Sequence, residues 1–168
     1  TEDMLKSGAD IYGTPLTTLA IEIALSKAGG ASRASFDSAL AAATSQVKST
    51  LGMGMASSVD LFTTPPIVDT EVDATDSATL QAIAQYRSAI ESVRVMVQQI
   101  AELVSASGSN VLKALGGDLA DGVIDGNVNG SRSSLYADDS QKTSALAVVT
   151  QTPATLCIAK NSEDQCTK

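Results

Sequence analysis

Apolar residues recur every three or four positions along most of the chain, a spacing that predicts α-helices. The first predicted helix begins at Thr14-Pro15, with Thr as the N-cap and Pro at the first helical position, and it ends at Gly29-Gly30. The second begins at Ser32 or Ser35 and stops at Gly52. Because a short polar turn joins the two helices, we expect them to form an αα-hairpin.

The longest apolar stripe predicts a third helix over residues 76–106. Its apolar residues fall at heptad-like intervals, with Arg87 in one seam position, and they are Leu80, Ile83, Ile90, Val93, Val97, Ile100 and Val104. Additional alanines widen this stripe, so we expect the helix to pack against more than one neighbour. The preceding connection, residues 52–75, contains Pro65-Pro66 and is not expected to be helical there.

Two shorter helices are predicted in the second half of the chain. Asn110 is the expected N-cap of the fourth helix, whose middle is weakened by Gly116-Gly117, at about 1 kcal/mol per glycine relative to alanine. The Asp-Gly and Asn-Gly pairs predict a loop over residues 121–134. A fifth helix is expected over residues 134–150. Its residues expected to face the core are Tyr136, Leu146 and Val149.

These elements predict an all-α fold, a helical bundle of about four to five helices with a long central helix and long loops. The composition agrees, because 43% of the 168 residues are hydrophobic and most of these are Ala, Leu, Val and Ile. Small aliphatic residues favour closely packed helices over a β-sandwich. We divide the chain into a lead-in segment (1–13), a helical bundle domain (14–150) and a C-terminal tail (151–168).

The charge balance and the missing residue types exclude several functions. Lys and Arg number 11 and Asp and Glu number 19, so the net charge is −8, which disfavours binding to nucleic acid. The absence of His excludes Ser-His-Asp and Cys-His catalysis within this chain. The longest apolar helix carries Arg87, Glu91, Arg94 and Glu102, so we do not expect it to span a membrane. No cofactor is expected, apart from the calcium ion considered below.

The cysteines, Cys157 and Cys166, lie close together in the polar tail. In a Ser- and Thr-rich acidic chain they predict one local disulfide and therefore an oxidising compartment. The alternative is a pair of unpaired thiols in a cytosolic protein. A loop this short stabilises the chain by roughly 2–3 kcal/mol at most, so the disulfide would pin the tail rather than hold the core.

The segment from Asp125 to Gly130 matches the first half of a calcium-binding loop, Asp-x-Asn-x-Asn-Gly. Asp125, Asn127 and Asn129 would supply alternate oxygens. The second half departs from the pattern, because Tyr136 stands where the bidentate Glu is required. The alternative is an ordinary turn built on Asp-Gly and Asn-Gly pairs.

A flexible apolar loop follows the second helix. It contains Met53 and Met55 and continues to Phe62, and such a loop can contact a partner protein or surface. The alternative is that these side chains plug the end of the bundle.

Two segments resemble a helical module of Gram-negative surface proteins and lipoproteins. The stretch 14–20 (TPLTTLA) is similar to the start of that module, and the stretch 114–126 (ALGGDLADGVIDG) is similar to a segment that follows in it. Tyr86 matches the usual Tyr of its long helix. The resemblance covers residues 10–130 and implies an exported, non-catalytic helical module beside β-rich or lipid-anchored regions.

We therefore expect a structural or interaction module located outside the cytoplasm, at the cell surface, in the outer membrane or secreted. It would not be an enzyme, and it would be tethered, if at all, through a region N-terminal to Thr1. Two alternatives remain. One is a helical accessory domain of a secreted lipase-like enzyme, and the other is a carrier whose bundle opens to an apolar ligand.

Overall fold

A computed structural model describes residues 10–29, 32–66 and 76–151, together with the backbone of two short strands in the tail. These residues contain five α-helices and a 3₁₀ turn at Leu119–Asp121. The helices are α1 (Pro15–Ala28), α2 (Arg33–Leu51), α3 (Ser77–Val104), α4 (Gly108–Asp118) and α5 (Asp139–Val149). The predicted all-α bundle with a long central helix is confirmed.

Two antiparallel strand pairs accompany the helices. Strands β1 (Asn127–Val128) and β2 (Ser131–Arg132) form a small hairpin, with Asn127 opposite Arg132 and Val128 opposite Ser131. In the tail, β3 (Ala159–Lys160) pairs with β4 (Cys166–Thr167). The prediction of a plain loop over 121–134 was therefore incomplete, because the Asn-Gly turn in that segment brings two short strands together.

The first two helices begin and end where their capping residues predicted. The Oγ1 atom of Thr14 accepts a hydrogen bond from the amide of Thr17, and Gly29 ends α1 with a left-handed φ of 55°. Ser32 precedes α2, and Gly52 follows it. The two helices pack against each other as the predicted hairpin, and α1 also contacts α3 and α4.

Helix α3 is the central helix of the bundle. Asp76 caps it by accepting from the amide of Thr79 at 2.8 Å. It packs against α1, α4 and α5, as its wide apolar stripe predicted. The seam position expected for Arg87 was wrong, because Tyr86 is buried instead while Arg87 lies on the exposed side in an ion pair with Glu91.

The start of α4 also differs from the prediction. Its N-cap is Ser107, whose Oγ accepts from the amide of Asn110 at 3.3 Å, so Asn110 lies inside the first turn. Gly116 lies against α1, and a Cβ atom built on it would approach Cβ of Glu22 to 2.5 Å. Glycine at this position therefore allows α1 and α4 to pack closely. From the sequence, this glycine was expected only to weaken the helix.

The predicted start of α5 at residue 134 was wrong as well. Asp138 caps the helix by accepting from the amide of Gln141 at 2.8 Å. Tyr136 is buried as expected, but it reaches the core from the loop before the helix. Within α5 the buried residues are Ala145 and Val148. The two residues expected to face the core, Leu146 and Val149, are half-buried.

One hydrophobic core joins the helices and extends into the loop after α2, where Val59 and Leu61 are buried. Lys48 holds this loop on the end of α2, because its Nζ atom donates to the carbonyl oxygen of Val59 at 2.6 Å. None of the helices in the described part of the chain is long and apolar enough to cross a membrane.

Candidate functional site

The segment 14–20 forms a reciprocal cap at the start of α1. Thr14 and Thr17 are both buried. The amide of Thr14 donates to Oγ1 of Thr17 at 2.7 Å, and the Thr17 amide donates back to Oγ1 of Thr14 at 3.2 Å. This capping box satisfies two amides that the helix itself leaves without partners.

Tyr86 joins this cap to the loop after α2. Its hydroxyl donates to the carbonyl oxygen of Leu61 at 2.5 Å and lies 3.4 Å from Oγ1 of Thr14. The side chain has no solvent exposure, and this burial raises the pKa of the Tyr86 hydroxyl. Since Tyr12 also donates its amide to the carbonyl of Phe62 at 2.8 Å, the chain before α1 is fixed to the same loop.

The segment 114–126 contains a second set of buried hydrogen bonds, centred on Asp118. This side chain is 1% exposed. Its two carboxylate oxygens accept hydrogen bonds from the amides of Asp125 at 3.1 Å and Gly126 at 2.9 Å. Asp118 therefore fixes the segment that leads from α4 into the β-hairpin.

The environment of Asp118 makes its ionised form costly. Burial raises its pKa to about 6, and the neighbouring carboxylate of Asp125 acts in the same direction, while the two backbone amides oppose the shift. Burial also raises the pKa of Tyr136 to about 12, with a further contribution from the charge on Asp118. Both side chains are almost completely buried, so a molecule in bulk water does not reach them directly.

Gly126 is enclosed by its surroundings. Its φ is 80°, and a Cβ atom built on it would come within 2.5 Å of the Lys142 side chain. The carbonyl oxygen of Gly126 accepts a hydrogen bond from the amide of Ser133 at 2.9 Å. The residue before β1 and the residue after β2 are therefore joined. Glycine is needed here for the backbone conformation and for the close approach of Lys142.

The proposed calcium ligands are placed in a turn and a hairpin. Asp125 accepts from both the amide and the Nδ2 group of Asn127 at 2.9 Å, and these bonds lower the pKa of the Asp125 carboxyl. Asn129 occupies the hairpin turn with a left-handed φ of 53°. Among the described residues, no three Asp, Glu, His or Cys side chains are grouped to hold a metal ion. Calcium binding by Asp125, Asn127 and Asn129 remains a hypothesis beside the alternative of an ordinary turn.

The predicted interaction residues lie on the loop after α2. Met53, Met55 and Phe62 are each half-buried and pack against the hydrophobic core. This is the position that the alternative interpretation gave them, as side chains that close one end of the bundle. Their role in binding a partner remains a prediction.

The predicted disulfide falls outside the described residues. Cys157 lies in a part of the tail that the structure does not describe, and Cys166 is described only as part of strand β4. The pairing of the two cysteines remains a prediction.

An open groove of about 900 Å³ runs between α1, α4 and the β-hairpin. Leu25 of α1, which is 52% exposed, Lys113 of α4 and Val128 of β1 are among the side chains that line it. Arg132 lies at the hairpin side of the groove, where its guanidinium donates to the Asp139 carboxylate and to the carbonyl of Ala137, each at 3.1 Å. The groove therefore has mixed polar and apolar walls.

The residue that the sequence analysis did not single out is Asp118. It appeared there only as part of the stretch 114–126. A usable signal was present, since Asp118 lies three residues after Leu115 and next to Leu119, and thus on the buried face of α4. No protein-family model, curated protein or solved structure matches this chain.

Proposed function

We propose that this chain is a non-catalytic structural or interaction module of a bacterial surface protein or lipoprotein, working outside the cytoplasm. One observation carries the proposal: Thr14 and Asp118, one from each of the two segments that resemble this module, and Tyr86 of the long helix are buried and hydrogen-bonded within the fold. Thr14 is bonded to Thr17, Tyr86 to Leu61 and Asp118 to the amides of Asp125 and Gly126.

This use of polar residues differs from what catalysis requires. General acids, bases and nucleophiles must reach a substrate. Tyr86 and Asp118 are almost completely buried, and each has its oxygen atoms bonded to backbone groups. Such residues hold segments of the chain together, which supports a structural role for them rather than a catalytic one.

The location proposed for the module is supported by the resemblance of residues 10–130 and by the two cysteines of the tail. An antiserum against the chain, applied to fractionated cells of the producing bacterium, tests it directly. We expect the antigen in the envelope or the medium, and we expect external protease to remove envelope-bound antigen from intact cells if it faces outwards. Recovery of the antigen with a cytoplasmic marker protein would refute the location.

Two further measurements separate the proposal from its alternatives. The full-length protein should hydrolyse no short- or long-chain ester, and esterase activity would favour the accessory domain of a lipase-like enzyme. Organic extraction of the purified native protein should release no stoichiometric fatty acid or lipid. Recovery of such a molecule in an amount equal to the protein would favour the carrier.

A further inference from the structure

The β-hairpin turns at an exposed Asn-Gly pair. Asn129 and Gly130 have φ angles of 53° and 75°, the combination of positive values found in a two-residue type I′ turn. Both residues are exposed to solvent, and a Cβ atom built on Gly130 would meet nothing within 4 Å. Within the described residues, the Asn129 side chain makes no hydrogen bond.

We propose that Asn129 is a site of spontaneous deamidation. The backbone nitrogen of Gly130, after losing its proton to hydroxide, attacks Cγ of Asn129. A bond forms between this nitrogen and Cγ, and the bond from Cγ to the side-chain nitrogen breaks. The departing nitrogen takes a proton from water and leaves as ammonia, which restores the hydroxide and gives a cyclic imide. Water then opens the imide at either carbonyl, which gives aspartate or isoaspartate at residue 129.

Three features of this turn favour the reaction at Asn129. The following residue has no side chain to obstruct the attacking nitrogen. The reacting groups are open to the hydroxide that starts the reaction and to the water that opens the imide. No described residue holds the side-chain amide of Asn129, so this amide can rotate towards the backbone of Gly130.

Two other asparagines serve as internal controls because they lack these features. Asn127 donates from Nδ2 to Asp125 at 2.9 Å and is followed by the β-branched Val128. Asn110 lies in the first turn of α4, where its backbone is held in the helix, and it is followed by Val111. A β-branched side chain crowds the attacking nitrogen in both cases.

Isoaspartate would change the hairpin. It places one additional carbon in the backbone between residues 129 and 130, within a turn that joins strands of only two residues each. The pairing of Val128 with Ser131 depends on that turn length, so we expect the hairpin to open and one wall of the groove to move. The bonds of Asp118 precede the turn and should persist.

The test is to incubate the native chain and an Asn129→Gln variant in mildly alkaline buffer and to follow each asparagine by peptide mass spectrometry. We expect the amide of Asn129 to be lost, with isoaspartate as a product, while Asn127 and Asn110 stay intact. The variant should keep the amide at position 129, because a glutamine would have to form a larger and less favourable ring. Equal loss at Asn129, Asn127 and Asn110 would overturn the proposal, as would loss from Asn129 only after denaturation.

Hydrogen exchange on the separated isoaspartyl form tests the structural consequence. The amides of Val128 and Ser131 should exchange faster than in the unmodified chain, while the helical circular dichroism signal stays unchanged. Unchanged exchange at both amides would overturn the opening of the hairpin.

Discussion

The adjacent glycines of α4 should respond in opposite ways to the same substitution. Gly116→Ala and Gly117→Ala both replace a helical glycine with the best helix former, an intrinsic gain of about 1 kcal/mol each. At Gly117 the new methyl group would lie 3.5 Å from the γ-carbons of Val128, an ordinary van der Waals contact. We therefore expect Gly117→Ala to raise the free energy of unfolding by up to about 1 kcal/mol.

At Gly116 the new methyl group would collide with α1. It would lie 2.5 Å from Cβ of Glu22 and 3.4 Å from the backbone nitrogen of Ile23. The Cβ atom of Glu22 is fixed to the backbone, so a rotamer change cannot relieve the contact and the two helices must separate. Overpacking of this kind typically costs about 1–3 kcal/mol. The net effect should be destabilisation by up to about 2 kcal/mol, after the gain in helix propensity is included.

Thermal and urea unfolding, followed by circular dichroism, measure this contrast. For a domain of this size, about 1 kcal/mol corresponds to roughly 2–4 °C in Tm. Glu22→Gly removes the colliding atom, whereas Glu22→Ala keeps it. In double-mutant cycles, Gly116→Ala should therefore show a favourable coupling with Glu22→Gly that exceeds its coupling with Glu22→Ala. Equal stability of the two single alanine variants would refute the close approach of α1 and α4.

Four further predictions concern single side chains. Burial raises the pKa of Asp118 from 3.8 to about 6, so between these pH values the folded state binds a proton that the unfolded state has released. The free energy of unfolding should therefore fall by at most about 3 kcal/mol as pH rises from about 4 to about 6. Measurements of Tm against pH should show this slope in the native chain and not in Asp118→Asn. Tyr86→Phe should lower the free energy of urea unfolding by about 1–2 kcal/mol, because the carbonyl of Leu61 loses its buried donor. Ser92→Ala should raise it by about 1 kcal/mol, because the buried Ser92 hydroxyl has no hydrogen-bond partner among the described residues, and an unchanged or lower value would show that the hydroxyl is satisfied. Excess calcium should leave the melting temperature unchanged in both the native chain and Asp125→Ala, whereas a calcium-dependent rise that the variant lacks would establish the metal site.

Helix ends were predictable from the sequence where a local capping signal decided them. Thr14, Pro15 and Gly29 act within one turn of the helix that they start or stop, so α1 was located to the residue. The start of α4 was misplaced because Asn110 was taken as its N-cap. In the structure Ser107 caps α4, and Gly108 is its first residue, where a Cβ atom would lie only 3.4 Å from the side chain of Val97.

The hydrogen bonds of Tyr86 and of Asp118 could not be predicted from the hydrophobic periodicity of the sequence. Heptad spacing placed Arg87 on the buried seam, but a neutral hydroxyl at Tyr86 can be buried if it finds a partner, and a guanidinium cannot be buried without a much larger desolvation cost. The partner of Tyr86, the carbonyl of Leu61, lies 25 residues earlier in an irregular loop. No local rule connects such positions.

Asp118 shows how a polar residue on an apolar face acquires a structural role. A buried carboxylate destabilises a fold unless hydrogen bonds compensate it, and here the amides of Asp125 and Gly126 supply them. Those amides are available only because the chain turns back after the 3₁₀ turn, where Gly122 adopts a φ of 111°. Asp118, Gly122, Gly126 and the 3₁₀ turn therefore depend on one another. A substitution in any of them should loosen the β-hairpin before it affects the helices.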